Sequence, residues 1–257
     1  VTVVYGGLFC GSAVGGVLAG RLGFAAAFYS GAVIAVLAGI IGSLSMRAAA
    51  GDPEPVEAHH TKAAVSDGWF SLRFLALLLA IALPMNAATA TVIWYLTPVV
   101  LADSGFDPAE IGRVVMLYYL AAVVLGPSVA SLANTRVRPA AVVGIGAIIS
   151  GVALLWLPLW GGFWALAATV VGLGVGHTMI RAPLYAISIA LTGGAAAAAG
   201  ALRSIERVGA ILGVVTSALL LDRVGIDDIV LTLGIVVSAG AMLYAVSEIT
   251  GHSRAAH

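Results

Sequence analysis

The sequence predicts an all-α polytopic membrane protein with eight transmembrane helices. Three observations carry this reading. Eight separate segments, each at least 18 residues long, are nearly free of charge: 3–20, 24–46, 74–101, 111–133, 140–160, 163–191, 200–221 and 229–246. Hydrophobic residues make up 61% of the chain and charged residues 9%, and the mean hydropathy is +1.09. The segments are apolar on every face, whereas a surface helix of a soluble domain keeps a polar face. A bilayer core of about 30 Å needs about 20 apolar residues per helix. Backbone groups in lipid must be satisfied within the segment, so such runs are helices.

The first segment carries Gly7, Gly11, Gly15 and Ala19 at intervals of four, a stripe that lets helix backbones approach closely. It leaves through Arg21-Leu22-Gly23, and the second segment follows at once. Residues 47–73 contain Gly51, Asp52, Pro53, Glu54, Pro55, Glu57, His59, His60 and Lys62 and no apolar run. This composition is that of a solvated linker. The adjacent histidines lack the convergent ligands a metal needs, so no metal or cofactor is expected.

Segment 74–101 places Asn86, Thr89 and Thr97 on one face, with Trp94 beside it and Pro84 and Pro98 within the segment. These polar groups suit either a substrate contact or polar glue between helices. Tyr118 and Tyr119 lie about two turns into segment 111–133, and one of them is expected to face a cavity. Trp156, Trp160 and Trp164 flank the turn between the next two segments, as an interfacial belt requires. In segment 163–191, His177, Arg181, Tyr185 and Ser188 follow helical spacing on one face. A cation at mid-depth costs a few kcal/mol or more unless it meets a cavity or a partner, and Pro183 can free a carbonyl nearby. Arg203, Glu206 and Arg207 open segment 200–221, with Arg203 and Glu206 spaced to pair. Residues 248–257 read as a polar cytoplasmic tail.

Charge sets the orientation. If the segments alternate, Arg47, Lys62, Arg73, Arg136, Arg138, Arg203, Arg207 and Arg254 share one side, while Arg21, Arg113 and Arg223 share the other. Cationic loops stay in the cytoplasm, which predicts that residue 1 and residue 257 both face inward. The formal net charge is zero, and no nucleic-acid partner is implied. Arginine far outnumbers lysine amid abundant alanine and glycine, a bias that suggests a bacterial inner membrane. The lone Cys10 allows no intrachain disulfide. Helix one begins almost at Val1 without a charged flank or signal peptide, so the start is expected to be internal to a longer protein.

An internal repeat supports a two-part organisation. Gly7, Gly11, Arg21 and Gly23 recur at a fixed offset as Gly209, Gly213, Arg223 and Gly225, six helices later and in the same orientation. Parallel halves of a transporter would produce this spacing.

The stretch Gly11-Ser12-Ala13-Val14-Gly15-Gly16-Val17-Leu18-Ala19, followed by Arg21-Leu22-Gly23-Phe24 and Phe28, resembles helix five of the major facilitator superfamily and its turn into helix six. Gly105-Phe106-Asp107-Pro108-Ala109-Glu110-Ile111-Gly112 is similar to the outer entry to that family's eighth helix. Gly126-Pro127 through Ala130, Leu132, Ala133, Asn134 and Arg138 is similar to its loop signature after helix eight. The resemblance implies a partial bundle covering helices five to twelve. Residues 1–46 would be the last two helices of an N-terminal half, 47–73 the cytoplasmic linker and 74–247 the C-terminal six-helix half. Missing N-terminal helices would then be partners of the fragment. Two departures stand out: Ser12 replaces the proline of the family's antiporter motif, and Asn134-Thr135 replaces an Asp-Arg pair of the loop signature.

No phosphate-binding loop, metal-spaced Cys/His set or catalytic constellation is present, so the chain is not expected to be an enzyme. The expected function is gradient-driven transport of a small molecule by alternating access. The alternative is a non-transporting sensor or scaffold module of a larger protein. Substrate would meet Asn86, Thr89, Trp94, Tyr118, Tyr119, His177, Arg181 and Tyr185. Asn134, Arg138, Arg203, Glu206 and Arg207 would serve as the cytoplasmic gate or as interfacial anchors. Arg181 needs an anion, supplied by a carboxylate or phosphate on the substrate or by an acid from further helices. All acids of this chain are expected in loops or within about two turns of a helix end.

Overall fold

The computed structural model describes residues 2–49, 71–135 and 138–255, and among these it contains helices and no strands. Six helices, two of them interrupted at a glycine, are long and apolar enough to cross a membrane. They are α1 (Thr2–Ala49), α2 (Leu72–Asp103), α3 (Pro108–Thr135), α4 (Pro139–Trp160), α5 (Gly162–Thr192) and α6 (Ala195–Ala255).

The count of eight separate helices is therefore corrected to six. The reason lies at two glycines. The expected loops after Arg21 and Arg223 are absent, and helix resumes directly beyond Gly23 (φ 83°, ψ 164°) and Gly225 (φ 79°, ψ 173°). Both conformations lie in the positive-φ region that residues with a Cβ avoid. The breaks fall at matching positions of the sequence repeat and have nearly the same dihedrals.

Local chemistry places the other boundaries. The Ser71 hydroxyl accepts from the Phe74 amide at 3.2 Å and caps α2. At the start of α3, the Glu110 amide donates to Asp107 at 2.8 Å and the Asp107 amide donates to Glu110 at 3.1 Å, a reciprocal capping box. Pro139 sits in the first turn of α4, where its missing N–H costs nothing. Most of the 47–73 linker lies outside the described residues, while α1 reaches Ala49 and α2 begins at Leu72. The backbone of α6 stays helical to Ala255, through the stretch expected as a tail.

α2 is the most buried helix of the bundle. It changes register twice, with π-helical turns at Leu77–Ala82 and Ala90–Leu96. Each ends just before a proline. The Leu83 amide bonds to Leu78 ahead of Pro84, and the Thr97 amide bonds to Val92 ahead of Pro98. A proline cannot donate to the carbonyl four residues back, and the wider turn re-spaces the bonds around that gap.

Helices pack through small residues. α1 crosses α3 where a Cβ on Gly16 would lie 2.7 Å from the Pro108 carbonyl oxygen and one on Gly112 would lie 2.6 Å from that of Ser12. α4 meets α5 at Gly146 and Gly176, and α6 meets α2 where Gly209 and Gly213 abut Leu83 and Ala87. The stripe expected to pack α1 is displaced. Gly7, Gly11 and Gly15 have nothing within 4 Å of where a Cβ would stand, and contact runs instead through Ser12, Gly16 and Gly20.

Candidate functional site

The site is built where α1, α2, α3 and α5 come together. α5 brings His177, Arg181 and Tyr185 to one side at helical spacing. α3 approaches α5 closely because residue 174 is glycine: a Cβ there would sit 2.6 Å from the Tyr118 carbonyl oxygen. That contact sets the Tyr118 hydroxyl 2.5 Å from His177 Nδ1. From α2, the Thr89 hydroxyl reaches the same nitrogen at 3.3 Å. His177 is 6% exposed and Thr89 1%, so this polar contact is enclosed by apolar helices.

A second strand of contacts runs alongside. The indole N–H of Trp94 donates to the Tyr119 hydroxyl at 2.9 Å. The Tyr119 ring stands edge-on to Tyr118 at 5.1 Å and tilted to Tyr5 at 6.3 Å between centroids. Arg181 donates to the Tyr5 hydroxyl at 2.5 Å and lies 5.3 Å from the centre of the Tyr5 ring. Four helices thus supply one connected cluster.

Toward the Arg203 end, the Arg203 guanidinium lies 5.9 Å from the centre of the Tyr185 ring and contacts Glu206 at 3.4 Å. That ion pair matches the spacing read from the sequence. The depth of Glu206 does not. α6 begins at Ala195 rather than near Gly200, so Glu206 stands about three turns inside the helix and is only 6% exposed. The reading that every acid sits in a loop or near a helix end is corrected here; the alanine run 195–199, left outside the segment by sequence, is helical.

The remaining sequence candidates divide. Both Tyr118 and Tyr119 enter the cluster, each with its own partner. Asn86 turns back on its own helix and donates to the Ala82 carbonyl at 2.9 Å. Thr97 and Ser188 are buried, and their hydroxyls have no hydrogen-bond partner among the described residues. Arg138 and Arg207 are exposed, and the side chain of Asn134 lies outside the described residues. Among the described residues, no group of three or more His, Cys, Asp or Glu side chains could hold a metal.

Tyr5 is the residue that sequence reasoning missed. Its signal was available: Tyr5, Phe9, Ser12, Gly16 and Gly20 lie on one face of α1, the face that meets α3. The more regular glycine stripe beside it drew attention away.

A family model described as Major Facilitator Superfamily matches residues 1–214. No curated protein matches the chain.

Proposed function

Because the chain belongs to the major facilitator superfamily, we propose that it carries a small molecule across the membrane by gradient-driven alternating access, with the Tyr5–Arg181–His177 cluster as its substrate site. The observation that carries this reading is the mid-helix guanidinium of Arg181. It donates to the Tyr5 hydroxyl of α1, at the edge of a polar and aromatic cluster drawn from four helices, and has no acid within ion-pair distance among the described residues. A fold gains little from a half-buried charge without an ion-pair contact, whereas a transporter needs a polar site between its helices near mid-depth.

In this reading, α1 and α6 each cross the membrane twice. Their candidate spans run 42 and 53 residues. At 1.5 Å per residue these are about 60–80 Å long, twice a bilayer core of about 30 Å. The breaks at Gly23 and Gly225 mark the points of return and restore eight passes. Residues 1–46 then belong to one half and 74–247 to the other, with 47–73 joining them in the cytoplasm. The Arg203–Glu206 pair, with Asn134, Arg138 and Arg207, forms the inner gate.

Alternating access is tested by sided labelling of the full-length protein with Cys10 replaced by serine. A cysteine at position 94 should react with a membrane-impermeant maleimide from either side of the membrane. Reaction from one side only would indicate a static bundle and favour a sensor or scaffold.

A further inference from the structure

We propose that the Arg181 cluster takes a singly charged organic carboxylate with a flat apolar body, an aromatic monocarboxylate being the simplest case. The inference rests on the transport reading of the same site and names its substrate class.

The first argument is a count of charge. Arg181 is always ionised, and its hydrogen bond goes to the neutral Tyr5 hydroxyl. Glu206 contacts Arg203, whose side chain is 55% exposed, and also lies within the field of Arg181. Thr89, Trp94, Tyr118, Tyr119 and Tyr185 bring no fixed charge. Arg181, Arg203 and Glu206 together therefore leave one positive charge within membrane-spanning helices, and one negative charge on the occupant neutralises it. A phosphate monoester near neutral pH carries between one and two negative charges and would leave an excess at depth. A cation would add to the existing charge.

The second argument is the use of hydrogen-bonding groups. Trp94 directs its N–H to Tyr119, while Tyr118 and Thr89 meet at His177. These contacts engage the Trp94 N–H and hold Tyr118 and Thr89 against His177, so fewer of them are left for a sugar or other many-hydroxyl ligand. The guanidinium donates to the Tyr5 hydroxyl and stands beside that of Tyr185, so N–H groups among its five are left for an occupant. Its planar fork matches a carboxylate with two parallel bonds.

The third argument concerns the surface beside that fork. Trp94 is 50% exposed although its N–H is engaged, so it offers an apolar indole surface. The rings of Tyr5 and Tyr119 continue from it toward Arg181. Aromatic groups pair by offset or edge-on contact at such centroid spacings. A carboxylate on Arg181 would thus place its own ring along a wall of aromatic side chains.

The test uses the full-length protein in detergent, with benzoate, the uncharged isostere benzamide and inorganic phosphate as probes of equilibrium binding. Benzoate should bind saturably and at least tenfold more tightly than either benzamide or phosphate. Arg181→Gln should remove the preference for benzoate over benzamide. Trp94→Ala should weaken benzoate at least fivefold in protein that remains monodisperse, and it serves as the second variant if Arg181→Gln does not fold. Equal binding of benzoate and benzamide would overturn the inference, as would a preference for phosphate or no binding of any probe. So would benzoate binding that survives both substitutions. Sided labelling at position 94 reads transport separately: labelling from both sides without benzoate preference would sink the substrate class and leave the transporter standing.

Discussion

Arg181 carries a full charge among phenol hydroxyls and rings, and its contacts among the described residues are neutral. Removing a partly buried charge that has no ion-pair contact costs a fold little and sometimes stabilises it. Arg181→Met should therefore leave the thermal unfolding midpoint of the full-length protein unchanged or raised while transport is lost. Arg181→Lys should also cripple transport with normal membrane insertion, because an ammonium lacks the planar fork. A marked fall in the midpoint with transport intact would make Arg181 structural. His177 behaves differently, since its Nδ1 is met by both Tyr118 and Thr89. Tyr118→Phe takes away the closer of the two and should destabilise by about 1 kcal/mol. Thr89→Val, which removes the longer contact, should cost less. Unfolding of both variants checks that order, and a reversed order would mean that Thr89 dominates. The residue types at this site were legible in the sequence because charge and hydroxyls stand out in an apolar helix. Their pairings were not, because Tyr5 and Arg181 are far apart in the chain and meet only when α1 and α5 are placed.

The elements are held by backbone approach, and glycine position decides where. Gly144 and Gly146 make the point within one helix. A Cβ on Gly146 would lie 2.7 Å from the Gly176 carbonyl oxygen, while one on Gly144 meets nothing within 4 Å. Gly146→Ala should destabilise by about 1–3 kcal/mol through overpacking. Gly144→Ala should be neutral or stabilising by up to about 1 kcal/mol, since alanine loses less backbone entropy in a helix. Equal effects in a thermal unfolding assay would refute the packing contrast. Gly174→Ala carries the same overpacking cost with a functional consequence. It pushes α3 away from α5 at Tyr118 and should lower probe affinity as well as stability. Sequence periodicity identified glycine stripes correctly as packing devices, yet chose the wrong one on α1. Gly7, Gly11 and Gly15 are as regular as Gly16 and Gly20, and only the path of α3 distinguishes them.

At the scale of the molecule, the lysine and arginine distribution predicts orientation. With Cys10 replaced, a cysteine at position 105 should be labelled from outside intact cells, and one at position 60 should be labelled only after permeabilisation. The opposite pattern would reverse the topology. A further cysteine at position 1 bears on the two passes proposed for α1, because position 60 lies on the residue-1 side only if α1 turns back at Gly23. The repeat adds a constraint: Gly23 and Gly225 share dihedrals as well as sequence context. Substituting either with a residue bearing a Cβ strains a positive-φ position and should disturb both labelling patterns.

The sequence by itself determined the solvent, the helical class, the family resemblance and the residue types available for chemistry. Those properties follow from composition and short-range spacing: a run of about 20 apolar residues must be helical in lipid whatever surrounds it. Tertiary structure decided what depends on contacts between distant segments. It placed Tyr5 against Arg181, divided Tyr118 and Tyr119 between His177 and Trp94, and turned Asn86 back onto its own helix. It also set Glu206 three turns deep by extending α6 to Ala195. The physical reason is that an apolar helix looks alike on every face. In lipid, hydrophobicity cannot choose which face meets a neighbour, so close packing and a few hydrogen bonds must make that choice.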